Sequence, residues 1–590
     1  MRLRPLRSLC LVLAFTLGAP ALADEATDRA FKDLYQREWT WRLKQYPTMA
    51  TAVGVHDYDD QLGHVSAKHQ AERLRDVEAF RKELAAIDPA RLSEAEQTNY
   101  AIFRTQLDNF IESVQVKAYL MPINSDSSFY ADLPMMAESH PFASVADYEH
   151  YIKRLYAVAP LFDEYIGLLR EGVKSGMTVP RVVLEGRDGP IRTIAEQKSP
   201  AEGPFYAPFN KIPASISKAD AERLRREGEK AIATAVRPAF AKLLKYFTAE
   251  YLPKARKTLG AYDLPNGKAY YQLMIRDFTT LDMSPEQIHQ IGLAEVARIR
   301  SEMEKVMREA KFEGDFAAFL HFLRTDPQFY AKTPRELLMH ASYYAKRIDG
   351  ELPKYFSVLP RLPYGIAPVP ETIAPYYTGG RYSPAPEGGR GAGFYWVNTY
   401  KLDSRPLYIL PALTLHESVP GHHLQGALAM EQGEQPPFRR YNYISAYGEG
   451  WALYAEHLGV EMGIYETPYE HFGRLTYEMW RACRLVIDTG IHAKGWTREQ
   501  AQALLRDNTA LSEHELTTEV DRYISWPGQA LSYKLGEIKI RELRAKAEKA
   551  LGAAFDLRTF HDTLLALGSV PLPVLEKRID QYIAQNQARR

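Results

Sequence analysis

The sequence has little cysteine, no excess of charge and no long apolar segment. Its 590 residues include two cysteines, and 74 Lys+Arg balance 74 Asp+Glu. Nucleic-acid binding usually requires a clustered surplus of Lys and Arg, so the sequence predicts no nucleic-acid partner. No Gly/Ser-rich linker, low-complexity tract or internal repeat divides the chain. Together with a hydrophobic content of 46%, these absences predict an ordinary globular protein with one large body.

The first 23 residues have the features of a secretory signal peptide. Three arginines precede an apolar run at residues 9–17, and residues 21–23 supply the small-x-small pattern that signal peptidase reads. The run is shorter than the ~20 residues that span a bilayer. We therefore expect secretion across the inner membrane into the periplasm, with no membrane anchor after cleavage. Cys10 would be removed, and Cys483 alone cannot form an intrachain disulfide.

Hydrophobic spacing predicts a mainly α protein. Apolar residues at spacings of three and four indicate consecutive helices over residues 24–357 and again from residue 412 to the C terminus. Four Ser/Thr-x-x-Glu/Gln capping boxes indicate helix starts. Their first residues are Ser93, Ser284, Thr333 and Thr497.

The amino-acid composition changes between residues 358 and 413, where Pro and Gly are frequent. The β-prone runs at residues 393–398 and 407–410 predict a small sheet in this segment. We therefore expect a helical N-terminal region, residues 24–357, and a second region, residues 358–590, that holds the sheet and further helices. The two regions should pack together as one unit.

The segment after the predicted sheet carries a histidine and glutamate pattern related to that of zinc peptidases. In the H-E-x-x-H pattern, two histidines four residues apart bind zinc and the glutamate activates water. Here His416-Glu417 is followed by His422 and His423, at six and seven positions. On a straight helix, His422 would be rotated by ~240° and raised ~9 Å from His416, too far for one ion. The intervening Pro-Gly pair predicts a local distortion that brings the histidines together.

Two glutamates downstream strengthen this interpretation. Glu449 and Glu456 share one helical face with large apolar residues, where an unpaired carboxylate would be costly. A metal for Glu449 and a ligand histidine for Glu456 would satisfy both. The alternatives are a solvated helix face for the glutamates and a polar turn for the histidines.

These residues resemble the bacterial family known as domain of unknown function 885. Residues 416–425 match its pattern H-E-x-x-P-G-H-H-x-Q, and residues 449–456 match E-G-W-A-x-Y-A-E. The resemblance extends from residues 46–51 to residues 519–536. The family looks similar to the gluzincin metallopeptidases, whose helical members include angiotensin-converting enzyme. This similarity implies a zincin-like helical body with the active site in a deep cleft beside the small sheet.

The resemblance also implies roles for individual residues. His416, His422 and Glu449 would bind one Zn²⁺ per chain, and Glu417 would be the general base. His422 is preferred because it follows Gly, as in related helical peptidases, and His423 is the alternative ligand. Glu456 would support a ligand histidine.

Other residues are expected around the substrate. By analogy with helical gluzincins, a late tyrosine would stabilise the oxyanion, with Tyr533 as first candidate and Tyr523 as second. Arg522 or Lys534 would bind a substrate carboxylate. Asn398 ends a β-prone run that we expect to be an edge strand onto which an extended peptide adds. A separate block is expected to form an ion-pair network outside the site: Arg481, Arg484, Asp488 and His492.

Three functions follow as hypotheses. The first is a secreted zinc-dependent metallopeptidase that hydrolyses short or unfolded peptides. The second is a non-catalytic helical protein that binds peptides or other ligands and keeps the metal site. The third is a zinc hydrolase that acts on a non-peptide amide.

Overall fold

The computed structural model describes residues 24–125, 128–371, 374–385 and 391–588. The predicted signal peptide lies outside these residues. The described residues form 25 α-helices and one three-stranded sheet, which confirms the prediction of a mainly α protein with a small sheet. Within these ranges no helix is long and apolar enough to cross a membrane.

The elements are numbered along the chain. The helices are α1 Glu25–Gln45, α2 Pro47–Ala52, α3 Ala67–Ala85, α4 Glu94–Gln115, α5 Phe129–Asp132, α6 Met136–Ser139, α7 Val145–Ser175, α8 Gly189–Ala195, α9 Lys218–Ala231, α10 Arg237–Tyr246, α11 Leu252–Lys254, α12 Gly267–Thr279, α13 Pro285–Glu309, α14 Phe316–Thr325, α15 Pro334–Tyr355, α16 Leu410–Glu417, α17 His422–Glu431, α18 Pro437–Arg440, α19 Ser445–Glu461, α20 Pro468–Lys494, α21 Arg498–Asn508, α22 Glu513–Ser525, α23 Ser532–Leu551, α24 Leu557–Leu565 and α25 Leu572–Ala588. The strands are β1 Tyr364–Pro368, β2 Gly380–Ser383 and β3 Gly393–Val397.

The predicted helix starts are confirmed. Ser93, Ser284, Thr333 and Thr497 are each an N-cap whose side chain accepts a hydrogen bond from the backbone N–H three residues on. Each cap satisfies one of the N–H groups that the first turn of a helix leaves without a partner.

The hydrophobic cores combine residues from both halves of the chain. In one core, Phe103 of α4 packs against Phe438 of α18, with ring centroids 5.0 Å apart. In another, Phe319 of α14 packs edge-on against Phe472 of α20 at 4.9 Å. Because both cores need apolar side chains from distant parts of the sequence, neither half encloses its own core.

Close helix crossings position the later helices. α19 crosses α23 where Gly450 meets Gly536, and a Cβ at Gly536 would lie 2.0 Å from the Ala446 carbonyl oxygen. Only two glycines allow the backbones to approach this closely. The crossing fixes the first turns of α19, and with them Glu449.

The sheet corrects two expectations. The strand order is β1-β3-β2, with β1 parallel and β2 antiparallel to β3, so the predicted edge strand at residues 393–398 is the central strand. Both of its edges are already paired and cannot accept a substrate strand. The second β-prone run, residues 407–410, is a 3₁₀ turn and the start of α16, because Tyr408 packs into the helical core and Pro411 suits a first helical turn.

Asn398 is also not a substrate contact. Its side chain is fully buried, and Nδ2 donates to the carbonyl oxygens of Ala374 and Thr378 at 2.9 and 3.0 Å. Its Oδ1 accepts from the Tyr400 N–H at 3.0 Å. These bonds occupy both ends of the amide, which therefore organises the turn after β3.

Substitution at the α19–α23 crossing should destabilise the protein. We expect Gly536→Ala to lower the free energy of unfolding by about 2 kcal/mol or more, because the added methyl group would overlap backbone atoms that cannot rotate away. Gly350→Ala is the matched control, since a Cβ there has no neighbour within 4 Å and alanine favours the helix. Denaturant unfolding measures both changes, and equal stabilities for the two variants would contradict the inferred crossing.

Candidate metal centre

A turn interrupts the helix between the two predicted metal-binding histidines. α16 ends at Glu417 and α17 begins at His422, so two helices separated by a turn replace the single distorted helix that we expected. Within the turn, the Gly421 N–H donates to the Leu415 carbonyl at 3.0 Å. A Cβ at Gly421 would lie 2.0 Å from the His416 carbonyl oxygen, so glycine is required here. The turn returns His422 to His416 despite the six-residue spacing.

His416, His422 and Glu449 meet at one point. Glu449 Oε2 lies 3.5 Å from His416 Nε2 and 3.4 Å from His422 Nε2. The two imidazole rings are perpendicular, with centroids 4.8 Å apart. Ligand atoms at 2.0–2.1 Å from one tetrahedral ion lie roughly 3.3–3.4 Å apart. Both the distances and the donor types therefore fit zinc, which these three residues would hold with a fourth position left for water.

The structure turns His423 away from this group. Its Nε2 lies 3.1 Å from the Leu362 carbonyl and its Nδ1 lies 3.2 Å from the Tyr382 hydroxyl. Burial lowers the pKa of His423 to about 4, so the ring is neutral and is held against the sheet. Of the two adjacent histidines, His422 is the one that faces Glu449.

Glu456 orients His416 from behind. Its Oε1 lies 2.8 Å from His416 Nδ1, which leaves His416 Nε2 to face Glu449. Arg481 contacts the same carboxylate, with Nη2 3.5 Å from Oε1. Carboxylates that hold the outer nitrogen of a histidine are usual at zinc sites. Arg481, which the sequence had placed outside the site, thus contacts the centre. The expected network of its block is wrong, because Arg484 pairs with Glu519 and Asp488 accepts from Tyr271 and the Gly528 N–H.

Protons and metal would compete for this group. Burial lowers the pKa of His416, but hydrogen bonds to Glu449 and Glu456 outweigh that effect and raise the pKa to about 9. Although burial opposes ionisation, the neighbouring His422 and His416 hold the pKa of Glu449 well below its usual range. The carboxylates therefore stabilise positive charge between them, as a metal site requires.

Glu417 is held beside the ligands. One carboxylate oxygen, Oε2, accepts a 2.7 Å hydrogen bond from the backbone N–H of Tyr382 on β2. The side chain is largely buried. The small sheet therefore orients the predicted general base.

The two predicted oxyanion donors differ in their surroundings. The Tyr523 hydroxyl accepts from Trp480 Nε1 and Arg484 Nε at 2.9 and 3.0 Å and donates to Glu519 Oε2 at 2.8 Å. Because its one proton is used, Tyr523 does not suit the predicted role.

Tyr533 keeps its proton available in the observed contact. Its hydroxyl accepts a 3.4 Å hydrogen bond from Gln529 Nε2, and its ring stacks on the Arg484 guanidinium. Tyr533 stays a candidate donor.

Sequence reasoning missed Tyr443. Its hydroxyl donates to Glu449 Oε1 at 3.4 Å, and its ring is 60% exposed. Removal of water by the surrounding protein, followed by the charges of Glu449, Tyr533 and Glu417, raises the pKa of Tyr443 well above its usual range. The phenol therefore keeps its proton next to the ligands. Tyr443 lies in a loop before α19, where no helical spacing links it to Glu449.

The predicted carboxylate-binding residues are engaged elsewhere. Lys534 is fully buried, and its Nζ lies 2.8–3.0 Å from Glu295, Glu478 and Glu537, so it does not suit a substrate carboxylate. Arg522 donates to Gln529 Oε1 at 3.4 Å and stacks on a neighbouring tryptophan. Its predicted role in substrate binding stays a prediction.

One other group among the described residues could offer three ligands, namely His64, His69 and Glu164. Its two imidazoles stack on each other at 4.4 Å. Glu164 Oε2 accepts from the backbone N–H groups at the start of α3. Stacking and helix capping account for this group, which lies at the surface.

Comparison with known proteins identifies the family. The family described as "Bacterial protein of unknown function (DUF885)" matches residues 47–579. The chain belongs to the DUF885 family. A solved structure entitled "putative lipoprotein from Colwellia psychrerythraea" is 28% identical and superposes with a TM-score of 0.87, covering 95% of this chain and 99% of that one. A second, from Shewanella oneidensis, is 18% identical with a TM-score of 0.69, covers 93% and 99%, and supports the fold alone. A search of curated proteins gave no match.

Metal analysis should distinguish the two adjacent histidines of this DUF885 protein. We expect about one zinc per chain after dialysis against zinc, loss of that zinc in His422→Ala, and its retention in His423→Ala. A chelator should lower the melting temperature of the wild type and of His423→Ala but not that of His422→Ala. Zinc retained by His422→Ala and lost from His423→Ala would contradict this assignment of the ligand.

Proposed function

We propose that this protein is a zinc-dependent metallopeptidase that hydrolyses peptide bonds in short or unfolded peptides. The observation that carries the proposal is the convergence of His416, His422 and Glu449 at ligand distances, with Glu417 adjacent to the first ligand. A bound zinc would polarise a substrate carbonyl and lower the pKa of a water molecule. The likeness to gluzincins, with a zincin-like body and the active site in a deep cleft, is part of this proposal.

The chain supplies the proton transfer through Glu417. Its Oε2 is anchored by the Tyr382 N–H, which fixes the orientation of the carboxylate. Glu417 accepts the proton of the attacking water and passes it to the leaving amine. Glu456 and Arg481 keep His416 in one orientation throughout.

A tyrosine stabilises the negative charge that develops on the carbonyl oxygen. Tyr443 is the first candidate because its hydroxyl lies beside the ligand Glu449 and the residue is exposed; its proton would turn from the long 3.4 Å contact with Glu449 Oε1 to the substrate oxygen. Tyr533 is the alternative donor. A preorganised donor of this kind contributes roughly 10²–10³-fold in rate.

The same proposal includes the location of the protein. The features of residues 1–23 support export across the inner membrane and a periplasmic location. The proposed partners are peptide substrates, and nucleic acid is not among them.

Substitution of the general base tests the proposed reaction. Metal-loaded wild type should cleave members of a mixed peptide library, read by mass spectrometry. Glu417→Gln should lower the rate by roughly 10²–10⁴-fold while keeping its zinc, because only the proton acceptor is lost. Cleavage at the wild-type rate by Glu417→Gln would rule out the mechanism. No cleavage of any peptide by the zinc-loaded wild type would favour the non-catalytic alternative or a non-peptide amide.

A second pair of variants tests the oxyanion donor. Tyr443→Phe should lower kcat by roughly 10²-fold with zinc and KM little changed, because the lost hydrogen bond forms only in the transition state. Tyr533→Phe is the matched variant and should have a smaller effect. A larger loss of kcat in Tyr533→Phe would transfer the role to Tyr533.

A further inference from the structure

A cavity of about 430 Å³ lies next to the candidate metal centre. Its walls come from α1, α4 and α12 and from residues 442–444, which precede α19. Tyr443 belongs to both places, since its ring lines the cavity and its hydroxyl contacts Glu449. The volume is at the lower end of the roughly 300–1,000 Å³ typical of small-molecule sites. The cavity therefore has room for one end of a short peptide whose scissile bond lies at the metal centre.

One wall of the cavity carries a carboxylate oxygen with no hydrogen-bond partner. Glu38 of α1 is 1% exposed, and Arg42 contacts only its Oε1, through Nε at 2.9 Å and Nη2 at 2.8 Å. No group among the described residues hydrogen-bonds Glu38 Oε2. A buried acceptor without a partner is costly. This oxygen has almost no surface open to the cavity, so Glu38 contributes only its charge there, which Arg42 neutralises.

A second carboxylate lines the cavity from α12. The Asp277 side chain is exposed to the cavity, and its Oδ1 accepts a 2.7 Å hydrogen bond from Asn109 Nδ2. The surrounding protein removes enough water to raise the pKa of this carboxyl group, and only the Asn109 amide opposes that shift. Since Arg42 neutralises one of the two acids, the cavity retains one negative charge.

The rest of the lining strengthens interactions with a charge. It includes the aromatic side chains of Trp41 and Phe110 and the apolar side chains of Val77, Leu273 and Met274. The lining also includes polar side chains, such as those of Gln106 and Ser113, and a bound cation is screened least beside the apolar and aromatic part. Aromatic faces also attract cations.

We propose that this cavity binds a cationic group of the substrate, an ammonium or a guanidinium, with Asp277 as its charge partner. The inference rests on the proposed function, because it assigns the cavity to the substrate of that site. Two sources supply this chemistry: the free N-terminal amine of a short peptide, and a Lys or Arg side chain.

Binding to a non-hydrolysing variant tests the inference. Calorimetry on zinc-loaded Glu417→Gln would compare Ala-Ala-Ala with acetyl-Ala-Ala-Ala, and acetyl-Lys-Ala-Ala with acetyl-norleucine-Ala-Ala. At least one cationic peptide should bind about tenfold or more tightly than its neutral partner. A preference in the first pair identifies the N-terminal amine, and one in the second pair identifies a basic side chain.

Variants of Asp277 assign the preference to the cavity. Asp277→Asn, added to Glu417→Gln, should remove the difference between the cationic and neutral peptides, and the side chain is exposed, so the fold should be kept. Asp282→Asn is the matched control, since Asp282 is exposed, lies five residues on and does not line the cavity. It should leave the preference unchanged.

The outcomes separate this inference from the proposed function. Equal affinities for the cationic and neutral peptides, or a preference that survives Asp277→Asn, would overturn the cationic site, whether or not the wild type cleaves peptides. Charge-selective binding by a zinc-loaded wild type that cleaves no peptide would overturn the peptidase proposal and leave the cationic site standing.

Discussion

The close approach of Gly421 to the end of α16 is the constraint on which the candidate metal centre depends. With no side chain at this position, the backbone passes against the carbonyls of Leu415 and His416. Any other residue would place a carbon atom where the His416 carbonyl oxygen lies. The turn brings His422 within reach of Glu449, and α17 then leads away toward the sheet, taking His423 with it.

Buried charge is balanced locally around this turn. Glu456 lies between His416 and Arg481, so a ligand histidine, a carboxylate and a guanidinium form one continuous chain of contacts. Below α19, Lys534 joins carboxylates from α13, α20 and α23. A buried ion needs such partners because the protein interior does not replace its hydration. The two groups link α13, α16, α19, α20 and α23, so the positions of the candidate ligands depend on charge pairing as well as on apolar packing.

Several local features of the fold could be predicted from the sequence, and the predictions that were wrong have physical reasons. The caps at Ser284 and Thr497 follow from short patterns whose geometry is nearly fixed. The contact of His416 with Glu449 joins two helices, and it was expected from the likeness of their two segments to known zinc-site patterns. The β-prone run at residues 407–410 became helical because tertiary packing overrides local propensity. Whether β3 lies at an edge or in the centre depends on its partners, which spacing within one strand does not specify.

The roles of individual side chains also depend on tertiary contacts that the sequence does not specify. Lys534 and Tyr523 have the right chemistry for their predicted roles, but carboxylates occupy both: Glu295 and Glu478 of other helices contact Lys534, and Glu519 of its own helix accepts from Tyr523. Tyr443 was missed because a loop residue gains its role only from the tertiary fold.

The cavity next to the metal centre draws its walls largely from α1, α4 and α12, whereas the candidate ligands lie on α16, α17 and α19. The two sets belong to opposite halves of the chain and share Tyr443 as their point of contact. Substitutions in the first half can therefore reshape the cavity without altering any ligand. It follows that two DUF885 proteins with identical histidine and glutamate segments need not bind the same molecules. The segments of the signature describe the candidate metal ligands and leave the ligand specificity of the cavity undefined.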